Sequence, residues 1–323
     1  MVKVLAMTLG DRYGVGPELV ARLPERMQIP DGLCVVVVGD RRVYEQGRAA
    51  VSATADYPVV QSFGEAKAPW SFMDRPFDSD VLPLGRVSSE AGREVLNTLD
   101  VLIRGAKAGE IGGIIYAPLN KQAMREAGHA AGDELDYFRH HLPAQATGEI
   151  NILGDVWTSR VTSHVPLREV GDLITPKNVM RGITLLADAL RQSGRQPKLA
   201  MAALNPHAGE GGAFGREEID VLAPTIAEAK AAGIDIAGPF PSDTVFPRAV
   251  NGAFNGVVTM FHDQGQIALK MVGLGQGITL LGGFPVPIAT PGHGTAYDIA
   301  GTGKAKPDGL VAATRLVASM MGF

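Results

Sequence analysis

His164, His207 and His262 stand in one repeated setting. His164 follows Trp157-Thr-Ser-Arg-Val-Thr-Ser163, His207 follows Lys198-Leu-Ala-Met-Ala-Ala-Leu-Asn-Pro206, and His262 follows Gly256-Val-Val-Thr-Met-Phe261. Each comes at or just past the carboxyl end of a β-type run, where open α/β sheets deliver functional side chains. Neutral imidazole is the commonest metal ligand, and three imidazoles leave coordination positions open for a substrate. A single histidine in such a place is more often a hydrogen-bonding structural residue, so the threefold repeat is what favours ligation. His140 and His141, in a charged helix-like segment, and His129, in a loop, read as surface residues.

Lys270 comes about two turns into the segment opened by His262-Asp-Gln-Gly265. A lysine there can hold a carboxylate or, with its pKa depressed, move a proton; the alternative is a solvated helix lysine. Three glycine-rich segments could approach a ligand closely: Gly10-Asp-Arg-Tyr-Gly-Val-Gly-Pro17, Asn205-Pro-His-Ala-Gly-Glu-Gly-Gly212 and Gly292-His-Gly-Thr-Ala-Tyr-Asp-Ile-Ala-Gly-Thr-Gly303. The first lies between a strand and a helix but lacks the G-x-G-x-x-G spacing of a dinucleotide fingerprint. The second also reads as a flexible turn. The third offers backbone N–H groups to a cofactor.

These residues need elements to hold them, and the apolar pattern supplies strands alternating with helices. Val2–Leu9, Val35–Val38, Gly113–Ala117, Lys198–Leu204 and Gly256–Phe261 read as strands. Pro17–Leu23, Ser89–Ala108, Pro176–Gln192, Gly215–Ala232 and Asp263–Val272 read as helices. That alternation predicts an α/β fold with a mainly parallel sheet and helices on both faces. At 323 residues, 46% apolar and 20% charged, the chain has material for two domains or one large unit. A net charge of −4 with mixed signs excludes the basic stripe of a nucleic-acid binder. The single cysteine, Cys34, excludes an internal disulfide and reads as a small buried strand residue. No apolar stretch approaches the roughly 20 residues of a membrane span, and the N-terminal run is too short for a signal peptide. The expected location is the cytoplasm.

Taken in order, Gly10-Asp11…Gly14-Val-Gly-Pro-Glu18, Ala117-Pro118…Lys121, Thr162-Ser-His-Val-Pro-Leu167, Asn205–Gly212…Phe214-Gly-Arg-Glu-Glu218, Gly238-Pro-Phe-Pro-Ser-Asp-Thr-Val-Phe246, His262-Asp-Gln-Gly265…Lys270 and Gly292–Gly303 resemble the 4-hydroxythreonine-4-phosphate dehydrogenase family over nearly the whole chain. The last motif is also similar to the adenine-side loop of isocitrate and isopropylmalate dehydrogenases. The resemblance implies a two-domain fold of that dehydrogenase type, with residues 1–125 plus 280–323 on the coenzyme side and 126–279 as the metal, substrate and dimerisation domain. It implies NAD, carried onto Gly292, His293, Gly294, Thr295, Ala296 and Asp298. It implies a divalent metal (Zn, Mn, Co or Mg) on His164, His207 and His262. Lys270 and Asp243 become the catalytic candidates, and a homodimer is implied in which one histidine comes from the partner. The implied reaction is oxidation of a small hydroxy acid at its CH–OH group, followed by loss of CO2.

The family's substrate motifs are altered here. Its phosphate-binding Gly-His-Thr-Glu falls on Gly132-Asp133-Glu134-Leu135, and its phosphate arginine on Ile288 or Ala289. Its Asp-Pro-Ala-Gly loop is Asp11-Arg-Tyr-Gly14. Asp133 and Glu134 would repel a phosphate and accept hydroxyls, so with Lys270 they are the expected substrate contacts and the expected substrate is unphosphorylated. The alternatives are the family reaction itself, a phosphorylated aldonate as substrate, or a non-catalytic binding protein on the same fold.

Overall fold

The computed structural model describes residues 2–129, 133–144, 146–273 and 277–323. Among them run the strands β1 (Lys3–Thr8), β2 (Leu33–Gly39), β3 (Trp70–Asp74), β4 (Gly113–Tyr116), β5 (Gly148–Leu153), β6 (Val156–Arg160), β7 (Leu199–Ala202), β8 (Ile236–Phe240), β9 (Gly256–Thr259), β10 (Ile278–Gly282) and β11 (Ile288–Pro291). The chain divides into two units, Met1–Gln145 with Phe284–Phe323, and Ala146–Gly283. These boundaries differ from the expected 125/126 and 279/280 and place the helix Glu134–His141 in the first unit.

In the first unit the strand order is β3-β2-β1-β4-β11, parallel throughout. Every residue of β2 is buried, including Cys34, as the unbroken run Leu-Cys-Val-Val-Val-Val-Gly requires of a strand covered on both faces. The helix Ser89–Lys107 is capped by Ser88, whose side chain accepts from Glu90 N, and it buries Val95, Leu99, Leu102 and Ile103.

In the second unit the order is β10-β5-β6-β9-β7-β8. The β10–β5 and β5–β6 pairs are antiparallel; β6, β9, β7 and β8 are parallel. The helix Pro176–Gln192 starts at the expected residue because Thr175 caps it and Pro176 fits its first turn. The expected single helix 215–232 is instead a π-helical turn, Glu218–Leu222, followed by an α-helix, Ala223–Ala231. Pro224 has no N–H to donate into an α-helical ladder, so the register changes just before it. Among the described residues no helix is long and apolar enough to cross a membrane.

Candidate functional site

The three histidines follow β6, β7 and β9, and in the second unit's sheet these strands are neighbours in the order β6-β9-β7. The strands are parallel, so their carboxyl ends face the same way and deliver the loops bearing His164, His207 and His262 to one end of the sheet. The rings of His164 and His262 lie 5.4 Å apart between centroids. His262 Nδ1 lies 2.6 Å from Asp263 Oδ1. With Nδ1–H donating to that carboxylate, the Nε2 lone pair is left for a ligand.

His207 does not complete a triad within one chain: among the described residues no group of three His, Cys, Asp or Glu side chains is placed to hold a metal. His207 sits in a left-handed run in which residues 207–211 all have positive φ, three of them not glycine. Such a run is costly for residues with a Cβ and persists only where neighbours enforce it. Glu218 anchors its entry. Its Oε1 accepts from Leu204 N at 2.9 Å and Asn205 N at 2.8 Å, and its Oε2 from Asn205 Nδ2 at 2.9 Å. Gln264 does the same for the strand ends: its Oε1 accepts from Met260 N, and its Nε2 donates to Ala203 O and Ser242 Oγ. Neither residue was singled out from sequence. Glu218 stands 11 residues after His207, a spacing that announces no contact.

Asp243 is exposed on the helix Ser242–Val250 and lines an open groove of about 570 Å³, whose other wall is the helix His262–Val272 with Asp263, Gln264 and Ile267. Lys270 is exposed on that second helix, about 12 Å along its axis from His262 at 1.5 Å per residue. The same face carries Ile267 and Met271, 63% and 82% exposed, so the lysine stands on an uncovered apolar surface.

The coenzyme candidates Gly292, His293, Gly294, Thr295, Ala296 and Asp298 form an irregular segment after β11, with one 3-10 turn at Tyr297–Ile299. A Cβ at Gly294 would meet nothing within 4 Å, so that position opens outward. Ala296 is left-handed at φ 43°. The loop Gly10–Pro17 packs directly against this segment: Val15 N donates to Thr295 O, and the Tyr297 hydroxyl donates to Asp11 Oδ2 at 2.7 Å. Asp11 is fully buried, which pushes its carboxyl above the usual range despite the Tyr297 and Tyr13 hydrogen bonds. Arg12, where the resembled family has proline, is buried 3.1 Å from Glu94 and 3.4 Å from Asp40. Burial pushes the Glu94 carboxyl up to about 7, against the pull of Arg12. Tyr13 holds the following segment through Asp80 O and the Arg86 guanidinium.

The expected substrate carboxylates have structural duties. Asp133 is the N-cap of the helix Glu134–His141, its side chain accepting from Asp136 N at 3.1 Å. Glu134 pairs with Lys121 Nζ at 3.5 Å. Gly132 lies outside the described residues. Ile288 and Ala289 are buried in β11, in register with Ile114 and Ile115 of β4. The carboxylates are thus tied to the fold, and the two positions expected to carry an arginine are core.

The model of the family of the pyridoxal phosphate biosynthetic protein PdxA matches residues 32–317. A Pseudomonas aeruginosa protein provisionally named 4-hydroxythreonine-4-phosphate dehydrogenase 2 is 41% identical over 313 residues, 93% of this chain and 92% of its own. The D-threonate 4-phosphate dehydrogenase of Bordetella bronchiseptica is 35% identical over 331 residues, 99% of this chain and 93% of its own. The crystal structure of a 4-hydroxythreonine-4-phosphate dehydrogenase from Klebsiella pneumoniae matches with a TM-score of 0.84 at 31% identity, covering 99% of both chains. All three proteins are named for phosphorylated substrates. That overturns the expectation of an unphosphorylated hydroxy acid, which rested on repulsion by Asp133 and Glu134 and on the uncharged Ile288 and Ala289; Asp133 instead caps a helix and Glu134 is paired to a lysine.

Proposed function

This chain belongs to the PdxA family, and on that premise we propose that it is an NAD-linked, metal-assisted dehydrogenase of a phosphorylated four-carbon hydroxy acid, with 4-hydroxythreonine 4-phosphate as the first candidate. The observation that carries the reading is the delivery of three histidines from three neighbouring parallel strands. The donor set fits a divalent ion: two imidazoles side by side, one of them oriented by a carboxylate. His164, His207 and His262 would hold the ion. When bound, the metal supplies electrostatic stabilisation of charge on a substrate oxygen, and NAD supplies the hydride acceptor.

The chain's own residues do the rest. Asp263 fixes the tautomer of His262. Glu218 and Gln264 hold the loops in place through backbone N–H and C=O groups. Lys270 is the candidate to hold the substrate or move its hydroxyl proton, and Asp243 is the candidate carboxylate on the facing helix. The coenzyme would lie on Gly292–Asp298, with Gly294 giving close approach to the backbone.

The working form is proposed to be a homodimer. Support comes from the triad, which no third side chain completes among the described residues of one chain, and from the uncovered apolar face that carries Lys270. The test is a substrate panel with NAD and added divalent metals, read as NADH formation. Turnover of 4-hydroxythreonine 4-phosphate far above its dephosphorylated counterpart supports the proposal, and preference for D-threonate 4-phosphate would move the substrate within the phosphorylated class. Metal-replete enzyme that reduces no NAD with any of these phosphates would sink it.

A further inference from the structure

The segment Gly292–Gly303 has little regular structure of its own, so its shape must come from what it packs against. Glu18, 2% exposed on the helix Gly16–Ala21, reaches its far end. The Oε2 atom of Glu18 accepts from Gly301 N at 3.1 Å and Gly303 N at 3.3 Å. Both glycines have positive φ, at 76° and 68°. Two backbone N–H groups converging on one oxygen make a small anion-binding concavity. Here a carboxylate from the same chain fills it. Arg22, just past the end of that helix, closes the arrangement by donating to the carbonyls of Gly303 and Ala305.

Gly301 and Gly303 also have no room for a side chain, so their positive-φ turn is built for glycine. A Cβ at Gly301 would meet Leu84 Cδ1 at 2.4 Å, and one at Gly303 would meet Ala50 O at 2.7 Å. Gly294, by contrast, opens onto free space. At the near end Asp11 binds the Tyr297 hydroxyl, and Val15 N donates to Thr295 O. The loop 10–18 therefore holds the segment at Thr295–Tyr297 and at Gly301–Gly303, while Gly294 stays open.

We infer that Glu18 is a positioning residue for the coenzyme: it occupies the N–H donors of Gly301 and Gly303, withholds them from the coenzyme's phosphates, and sets the curvature of the 292–298 stretch that meets the coenzyme. This rests on the proposal that Gly292–Asp298 binds NAD. A carboxylate fits the role because a charge-assisted acceptor holds two convergent N–H groups at once and fixes the turn that carries them.

The experiment is NADH binding by fluorescence titration, together with KM and kcat for NAD and amide hydrogen exchange. Gly294→Val tests the underlying reading, since its side chain projects only into the open position. Glu18→Ala should weaken NADH binding at least about tenfold and raise KM for NAD in step, with kcat at saturating NAD within about twofold of the parent. Glu18→Gln, which keeps one acceptor, should fall between. In the parent, the Gly301 and Gly303 amides should be protected without NADH and gain nothing from it, whereas exchange in 293–298 should slow on binding. Where Glu18→Ala does not fold, the exchange pattern of the parent decides. Gly294→Val binding NADH like the parent would refute the loop assignment itself. Gly294→Val weakened with Glu18→Ala and Glu18→Gln unaffected, or new protection by NADH at Gly301 and Gly303, would overturn the role given to Glu18.

Discussion

Glu94 is 5% exposed, near Arg12, with Asp40 and Asp11 in the same buried cluster. Its Oε2 is close enough to Arg12 Nε for an ion pair, at 3.1 Å, yet not aligned as a hydrogen bond. Its carboxyl is raised from an ordinary 4.5 to about 7. A raised acid favours the folded state while protonated, so this stabilisation is complete below pH 4.5 and is lost as pH rises through about 7. The full swing is on the order of 3 kcal/mol. Glu94→Gln should therefore match the parent's urea midpoint near pH 4.5 and exceed it increasingly up to pH 8. Parallel midpoints across that range would show that Glu94 ionises as an ordinary surface carboxylate. A second residue-scale expectation concerns Glu218 and His207. His207→Ala should weaken zinc binding at least about a hundredfold, and Glu218→Ala about tenfold through loss of the loop's anchor. Zinc affinity unchanged in both variants would remove His207 from the metal site.

The elements legible in the sequence are those with an unbroken apolar run or a helical stripe plus a cap. β2, the helix Ser89–Lys107 and the helix Pro176–Gln192 fall within a residue or two of their expected bounds because Ser88, Thr175 and Pro176 mark them chemically. The apolar pattern does not mark β3, β5, β8, β10 or β11 as strands. β5 is only part-buried at four of its six positions and pairs antiparallel on both sides, so its run is short and mixed. The π-helical turn at Glu218–Leu222 was unreadable because helical periodicity does not distinguish it from an α-turn. Of the candidate site, the strand-end position of the histidines was readable, but the left-handed path at His207 was not, since neither His207 nor Ala208 announces a positive φ. The helix His262–Val272 carries the prediction at this scale. Ile267 and Met271 are exposed a turn apart on the face bearing Lys270. Ile267→Asp should shift the protein toward monomer in sedimentation at micromolar concentration, with the thermal midpoint of the monomer little changed, since the side chain contributes little to the chain's own core. An unaltered oligomer would place the interface elsewhere.

At the scale of the whole molecule, the proposed homodimer raises the question of which histidine a second chain would supply. Sequence resemblance implied that one of the three comes from a partner without saying which. In a single chain His164 and His262 are side by side, and no third ligand joins them among the described residues. The expected division is thus His164 and His262 from one chain with His207 from the other. A twofold dimer then has two equivalent sites, each built from both chains. Pairing a His207→Ala chain with a His262→Ala chain leaves one site whole: the first chain supplies His164 and His262, and the second supplies His207. The other site loses two ligands. A mixed dimer should therefore regain about half the parent's turnover, the share of one intact site in an isologous pair. The same holds for His207→Ala with His164→Ala. Pairing His164→Ala with His262→Ala must fail, because each of those ligand pairs lies within one chain and both sites lose a ligand. Mixed dimers are isolated with two different affinity tags, and NADH formation is read beside bound metal per dimer. Recovery in the His164–His262 pairing, with none in the His207–His262 pairing, would reassign the partner's ligand. Absence of recovery in all three pairings, with mixed dimers verified by tag, would confine the metal site to one chain.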